Sequence, residues 1–397
     1  MKIKIRSENN IVLLDYIALI LILLSSGTAY FYLYHAGVTL LTLFVFSILF
    51  VAKSRHRFNK NVFVVVYGLL ILINYLMFSY DMNLVGDIIF LTSTYFILSC
   101  FNYNTFRRCF FDVTIALGFL SITFEILYLT GIITPVLYGD NVTGLFGHYM
   151  YAFHAFGGGL WGMSTQLYGI FWEPGIYQMV LNLALILNLD LLDNKVYVPF
   201  KKLKLLTLLL VIVLTRSTTG YLVLGTVIVG YFLYKSANSK MSKLLAVVSM
   251  IVFWAVITYS SVVADKFSED NASFLARSND WIALSQAIYE KPFFGSGVNM
   301  AVFDKIAQKY DMHGSKSAGL LLQTAEMGVF WLLAFYYSLR KEFKKRNIRL
   351  PMFFFFIAIT FLGMGEPLAY SPLMLILVLP FKDYKNDKNF IYSYSNI

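Results

Sequence analysis

The sequence predicts an all-α polytopic membrane protein with about 12 transmembrane helices and two long external loops. The first observation is the composition, which is 58% hydrophobic and 14% charged, with a mean hydropathy of +0.67. Soluble domains have about a quarter of their residues charged, so this chain has too little polar surface to cover a water-soluble globule. A soluble enzyme, a secreted domain and a disordered chain are therefore excluded. The two cysteines, Cys100 and Cys109, likewise exclude a disulfide scaffold and a thiolate metal cluster.

The second observation is a series of apolar runs near the length of about 20 residues that a helix needs to cross a bilayer. The runs lie at 11–34, 38–52, 62–80, 84–101, 110–132, 172–192, 203–215, 219–234, 244–263, 317–338, 351–365 and 368–380. An even number of spans places both termini on the same side of the membrane.

The third observation is the distribution of basic residues. If the N-terminus is cytoplasmic, 25 of the 32 Lys and Arg residues fall in segments on the cytoplasmic side. Cytoplasmic loops are enriched in positive charge, so this bias predicts that both termini are cytoplasmic. The formal net charge of +10 then follows from the topology. Because we find no basic patch in a soluble domain, we expect no nucleic-acid partner.

We expect a single polytopic membrane domain, 1–397. Two of its external segments, 133–171 and 264–316, are much longer than the other connections between spans. Connections of this length in a compact protein are typically functional. We therefore expect the function to lie in these two loops.

Arg216 lies in the run Thr215-Arg216-Ser217-Thr218-Thr219-Gly220, just before the eighth span. A recessed ionisable residue in a membrane protein needs a partner or a water-filled cavity. The hydroxyl groups and the start of the next helix add hydrogen-bond donors that suit an anion. The alternative is that Arg216 is a snorkelling anchor at the interface.

Arg277 precedes a second candidate site in the long loop 264–316. Ser278 or Asn279 is expected to cap a helix that Pro292 bounds on the far side. A guanidinium beside the free amides of a helix N-terminus is a good oxyanion site. The alternative is that Arg277 pairs with Asp280 as a solvated loop contact.

The helix that follows Arg277 is predicted to be short and amphipathic. Trp281, Leu284 and Ile288 fall on one stripe, so this helix can lie on the membrane surface.

Glu173 and His313 are two titratable residues that stand just before predicted spans. Glu173 stands before Pro174 at the start of the sixth span, where an acid is also a normal feature of a helix start. His313 precedes the tenth span, where it can be a base, an anion ligand or an ordinary loop histidine.

The loop 133–171 is dense in glycine and aromatic residues, among them Tyr149, Trp161 and Tyr168. Aromatic rings pack on the C–H faces of sugars, and they also form interfacial belts at membrane surfaces, so both interpretations stay open. We identify no Walker loop, HExxH motif or Cys/His cluster at an external position. Nothing therefore supports a nucleotide or a metal, and we expect no cofactor.

Four short stretches occur in an order that resembles the bacterial O-antigen polymerase and O-antigen ligase superfamily, which includes the Wzy-type polysaccharide polymerases. They are Tyr168 to Gly175, Thr215 to Gly220, Arg277-x-x-x-Trp281 with Lys291-Pro292-Phe293-Phe294-Gly295-Ser296-Gly297, and Glu326-x-Gly328. Together they span roughly residues 166–338, and the N-terminal spans are similar only in hydropathy.

The resemblance implies a GT-C-type membrane glycosyltransferase in the bacterial plasma (inner) membrane. Its donor and acceptor would be undecaprenyl-diphosphate-linked oligosaccharides, which it would polymerise into O-antigen, capsule or another exopolysaccharide at the outer face. A flippase and a chain-length regulator would be partners, together with the lipid bilayer.

The resemblance also implies roles for the candidate residues. Arg216 and Arg277 would clamp the donor diphosphate, and Glu173, Asp280 or His313 would be the base. The substrate-binding residues would be Tyr149, Trp161, Tyr168, Trp281 and Lys316. No metal is required if the arginines stabilise the developing charge.

Two alternatives remain at this stage. The protein could be a ligase-like sibling that moves a finished glycan to another acceptor. It could also be a secondary transporter or flippase that uses the intramembrane carboxylates Glu125, Glu326 and Glu366. The long external loops favour an enzyme, because carriers keep their key groups near the bilayer midplane.

Overall fold

The computed structural model describes residues 13–33, 35–52, 61–78, 82–133, 137–138, 147–151, 154–158, 166–193, 198–236, 240–259, 272–298, 301–309, 318–366, 368–369 and 371–382. Most of the described residues are helical. The helices are α1 (Leu13–Leu24), α2 (Ala29–Leu33), α3 (His35–Ala52), α4 (Val62–Phe78), α5 (Met82–Cys100), α6 (Tyr103–Leu129), α7 (Pro174–Leu187), α8 (Lys201–Leu214), α9 (Thr218–Ser236), α10 (Lys240–Tyr259), α11 (Ala272–Glu290), α12 (Ala301–Lys309), α13 (Gly319–Met327), α14 (Val329–Arg346), α15 (Met352–Gly365) and α16 (Pro372–Val378).

Each predicted apolar run contains a helix, but two runs are broken in the middle. The run 11–34 divides into α1 and α2 because the Ser25 and Ser26 hydroxyls donate to carbonyls of the preceding turn, at 2.7 and 2.6 Å. Gly27 follows with a left-handed φ of 82°, which ends the helix. The run 317–338 divides at Gly328, whose φ is 83°. Mean hydropathy over a long window does not detect such breaks, since the helices on both sides of each break are apolar.

The number of spans is not confirmed. Within the described part of the chain, one helix, α6, is both long and apolar enough to cross a membrane, with 27 residues. Shorter apolar helices include α4, α7 and α15, and large apolar side chains such as Phe44 and Leu76 are exposed. The helical class is confirmed and the fold is compatible with a membrane protein.

A small sheet lies in the first long loop, beside the confirmed helical class. Strands β1 (Leu137–Tyr138), β2 (Gly147–Tyr151) and β3 (His154–Gly158) form an antiparallel sheet in the order β1-β2-β3. The segment is rich in aromatic residues, which favour strands. The strands pair with each other, which satisfies backbone N–H and C=O groups along them. The first long loop therefore contains regular structure that its composition did not predict.

Helix α7 lies in the core of the protein, with every residue from Gly175 to Leu187 buried. A helix that is apolar on nearly all sides is expected to be surrounded by other elements. The Tyr177 hydroxyl reaches Ser121 of α6 at 3.2 Å, and the Asn182 amide donates to the Gly220 carbonyl of α9 at 3.4 Å.

The described part of the second long loop forms two helices that pack against α13. Their shared core, here called the α11–α13 core, is formed by Ala283, Leu284 and Ala287 of α11, Phe303, Ile306 and Ala307 of α12, and Ala318, Leu322 and Ala325 at and within α13. Since α11 is 19 residues long, the loop holds a longer helix than the short one predicted.

Candidate active site

Four helices begin at one end of the bundle, here called the site end: α7 at Pro174, α9 at Thr218, α13 at Gly319 and α16 at Pro372. Glu366, which directly follows α15, lies against the starts of two of them, α7 and α13. A Cβ on Gly175 would overlap the Glu366 Oε1 atom, and one on Gly319 would overlap the Glu366 carbonyl oxygen. The two glycines therefore let the starts of α7 and α13 approach this one residue closely.

The site end suits a negative charge. Helix N-termini carry unsatisfied N–H groups and a partial positive charge, which typically stabilises a nearby anion by about 0.3–1 kcal/mol. The Glu366 side chain is only 4% exposed and lies against the first turn of α7. The start of a third helix, α9, lies next to the residue before Glu366, because a Cβ on Gly365 would be 3.0 Å from Thr219.

Arg277 of α11 is the cation that faces this carboxylate. Its Nη2 atom lies 3.7 Å from the Glu366 Oε1 atom, which is the distance of an ion pair. The Arg277 side chain is 40% exposed, so the guanidinium stands between a buried acid and the open side of the site. The structure thus pairs Arg277, which is predicted to bind an anion, with Glu366, an acid whose role the sequence did not determine.

The predicted start of this helix was wrong. Helix α11 begins at Ala272 and not after a cap at Ser278 or Asn279, so Arg277 lies in its second turn. Free helix amides therefore do not flank the guanidinium. The other boundary is confirmed, because α11 ends at Glu290, shortly before Pro292.

The apolar stripe that the sequence predicts on α11 is divided between the protein core and the surface. Leu284 is fully buried in the α11–α13 core, whereas Trp281 is exposed. The stripe is split because α12 and α13 pack on one side of α11. Asp280, a candidate base, is also fully buried.

The third and fourth sequence motifs interlock. The Ser296 amide donates to the Ala325 carbonyl at 2.8 Å, and the Val329 amide donates to the Pro292 carbonyl at 2.7 Å. Gly295 and Gly328 both have positive φ, and a Cβ on either would overlap the backbone of the other motif. The turn that follows α11 is therefore fixed against the α13–α14 break, which positions the helix that carries Arg277.

Arg216 lies in the turn between α8 and α9, exposed and with a φ of 48°. A non-glycine residue in this region stores about 1 kcal/mol or more of strain, and such residues cluster at functional sites. The Gln166 side-chain amide donates to its carbonyl at 3.3 Å, and the Leu167 amide donates to Leu214 at 3.0 Å. The residues just before the first motif therefore contact the turn that contains the second motif, at the start of α9.

A comparison with protein families matches the part of the chain that contains both arginines. Residues 203–336 match the O-antigen ligase family model, Wzy_C. The O-antigen ligase match runs from α8 into α14 and covers about a third of the chain. It confirms the superfamily resemblance, and this family consists of integral membrane, glycosyltransferase-like enzymes. No curated protein and no solved structure matches the chain.

Glu173 and Tyr168 lie N-terminal to the O-antigen ligase match. Glu173 precedes α7, whose first residue is Pro174 as predicted, but its side chain makes no capping hydrogen bond and is half-buried. Tyr168 packs with Ala29 and Trp172. The segment that contains it is joined to the α1–α2 break, because the Ala29 amide donates to Ile170 at 2.9 Å.

Three predicted site residues, Trp161, His313 and Lys316, lie outside the described residues. Tyr149 lies in β2, where only the backbone is described.

Glu366 is not predicted as part of this site from the sequence, and neither are two buried polar residues beneath it. Gln178 lies one turn inward from Gly175 on α7, and Asn182 one turn further, with its amide 2.9 Å from the Gln178 Oε1 atom. Among the described residues, the Gln178 Nε2 and Thr218 Oγ1 atoms are buried without a hydrogen-bond partner. Polar residues inside an otherwise apolar span were the signal that could have indicated them.

Proposed function

We propose that the protein polymerises undecaprenyl-diphosphate-linked oligosaccharide repeat units into a surface polysaccharide at the outer face of the plasma membrane. The observation that carries this proposal is the Arg277–Glu366 pair at the site end, with Arg277 inside the O-antigen ligase match. A lipid diphosphate needs cations at its phosphates, and glycosyl transfer to a hydroxyl group needs an acid–base residue.

The chemistry assigns a separate task to each group. The donor's leaving group is a lipid diphosphate, which gains negative charge as the glycosidic bond breaks. Arg277 and Arg216 neutralise that charge, and the N-termini of α7 and α9 add to the positive potential. The hydroxyl group of the next repeat unit attacks the sugar carbon after losing its proton to a carboxylate. The starts of α7, α9, α13 and α16 face the periplasmic or external side in this proposal.

Substitution of the arginines tests the proposal. Arg216→Ala and Arg277→Ala should each lower the rate of polymerisation about a hundredfold, because each removes a charge-assisted contact of the transition state. Lysine at either position should not restore activity, since it lacks the planar fork that binds phosphate at two points. The assay uses purified enzyme in liposomes with a synthetic lipid-diphosphate oligosaccharide, and it measures chain length.

Lys305→Ala is the matched control, because Lys305 is an exposed basic residue on α12 in the same loop. It should polymerise at the wild-type rate. If both arginine variants also do so, the arginines are anchors and the proposed mechanism is wrong.

A second candidate function is ligase-like transfer of a finished glycan to a different acceptor, which the description of the matched family favours. The same assay separates the two functions. A polymerase lengthens the lipid-linked glycan when this is the sole substrate, whereas a ligase leaves its length unchanged until another acceptor is added.

A further inference from the structure

The two partners of the Arg277–Glu366 pair differ in their freedom to move. Glu366 is held from several sides: its carboxylate lies against Gly175, its carbonyl oxygen lies against Gly319, and the same oxygen accepts from the Leu368 amide at 2.8 Å. Its side chain is 4% exposed. Arg277 is 40% exposed and reaches the carboxylate at the end of a long side chain. The acid is therefore fixed and the arginine can be drawn away.

A diphosphate is a stronger ligand for this guanidinium than the carboxylate is. The pair is 3.7 Å long, which is beyond the usual length of a charge-assisted hydrogen bond. A diphosphate offers at least two negative charges and a bidentate geometry that matches the planar fork of arginine. A donor that arrives from the open side therefore meets the exposed face of Arg277 and competes with Glu366 for it.

Loss of the arginine changes the chemistry of the acid. A buried carboxylate without its counter-charge binds a proton more strongly, because burial disfavours the charged form and the neighbouring cation had favoured it. Glu366 is thus a weak base while Arg277 faces it and a stronger one when Arg277 faces a diphosphate.

We propose that donor binding releases Glu366 from Arg277, and that the released Glu366 is the base of the reaction. This inference rests on the proposed function and names its regulation. The acceptor hydroxyl gives its proton to the Glu366 carboxylate while its oxygen bonds to the donor's anomeric carbon. The bond from that carbon to the diphosphate oxygen breaks, and the electron pair leaves with the diphosphate, which Arg277 neutralises. Water is not activated in the absence of donor, because the base is then masked.

The test separates donor binding from turnover in the full-length protein. Glu366→Gln keeps the shape that fits beside Gly175 and removes the charge. We expect donor affinity to stay equal or to rise up to about tenfold, because Arg277 loses its competing partner. We expect turnover to fall by about 100- to 10,000-fold, as for loss of a general base. The probe is a fluorescent lipid-diphosphate oligosaccharide, with Kd and chain growth measured in nanodiscs.

Glu290→Gln is the matched control, an exposed acid at the end of α11, the helix that carries Arg277, and it should change neither quantity. Glu366→Asp shortens the side chain by one methylene group and moves the carboxylate away from Arg277, so this variant should retain part of the turnover. Normal turnover of Glu366→Gln would show that Glu366 is not the base. Weaker donor binding by Glu366→Gln at normal folding would show a structural role and overturn the proposal. Failure of the wild-type enzyme to bind or extend the donor would instead refute the proposed function itself.

Discussion

The two ends of the helical bundle use charge in opposite ways. At the end where α7, α9 and α14 finish, here called the basic end, the charges form close pairs. Arg107 binds both carboxylate oxygens of Asp190. Asp193 accepts a hydrogen bond from Tyr231 at 2.8 Å and also pairs with Arg349. At the site end, Arg277 and Glu366 are 3.7 Å apart and differ tenfold in exposure.

The difference indicates which charges are structural. Charges at the basic end connect elements that are far apart in the sequence, and they have short, multiple contacts. Arg346, for example, donates to the Leu379 carbonyl at 2.8 Å and lies over the Phe381 ring at 4.9 Å. Buried polar atoms without a partner occur at both ends, on Gln178 and Thr218 at the site end and on Glu342 and Arg346 at the basic end. The two ends therefore differ in how closely a cation approaches the buried acid, which is 3.1 Å for Glu342 and 3.7 Å for Glu366. Long contacts are common at catalytic sites that have not bound their substrate.

The largest effect is expected in an all-or-none labelling experiment that assigns the two ends to the two sides of the membrane. Lys309→Cys on α12 and Lys341→Cys on α14 each place a thiol at an exposed position. In a background without Cys100 and Cys109, a membrane-impermeant maleimide should label the first in intact cells and the second only after permeabilisation. The reverse pattern would refute the proposed topology.

The second-largest effect is expected when the close contact between Gly175 and the Glu366 carboxylate is disturbed. Gly175→Ala should lower turnover roughly a hundredfold, because the new methyl group displaces the carboxylate and misplacement by about 1 Å has an effect of this size. Gly68→Ala on α4 is the control, since a Cβ there meets nothing within 4 Å. It should leave turnover unchanged. Full activity of Gly175→Ala would mean that the position of the carboxylate is not critical.

The smallest effect is expected at the basic end. Asp193→Asn weakens contacts to Tyr231, Lys235 and Arg349. It should lower the free energy of unfolding by about 1 kcal/mol, which is a few degrees in Tm, because the group is partly exposed. Turnover at low temperature should not change. The control is Glu290→Gln, which replaces an exposed acid at the end of α11 and should change neither Tm nor turnover. A loss of turnover in Asp193→Asn would contradict the comparison of the two ends.

Local chemistry made much of the helix pattern predictable. The start of α7 at Pro174 and the end of α11 before Pro292 follow from the fixed φ and the missing N–H of proline. The breaks at Gly27 and Gly328 were not predicted, because glycine is also tolerated inside apolar helices. The start of α11 was misplaced because Ser278 is a good capping residue. In the structure its hydroxyl instead donates to the Leu275 carbonyl within the helix at 2.9 Å, and the helix begins at Ala272.

The candidate site was predicted in part. Arg216 and Arg277 were recognised because basic residues are rare on the expected external side. Glu366 was considered only as an intramembrane carboxylate, because nothing local in the sequence connects it with Arg277. Trp161, His313 and Lys316 remain predictions, since they lie outside the described residues.

The sequence by itself determined the helical class and the O-antigen superfamily resemblance, and it led to the prediction that Arg216 and Arg277 bind an anion. These depend on composition, on the order of short motifs and on charge distribution, which are properties of the chain alone. Only the tertiary structure decided that Glu366 is the partner of Arg277 and that Gly175 and Gly319 surround it. The physical reason is that the close approach of two helices depends on how segments distant in sequence pack. A glycine permits such an approach only where another backbone or side chain lies beside it, and the sequence does not show which atoms those are.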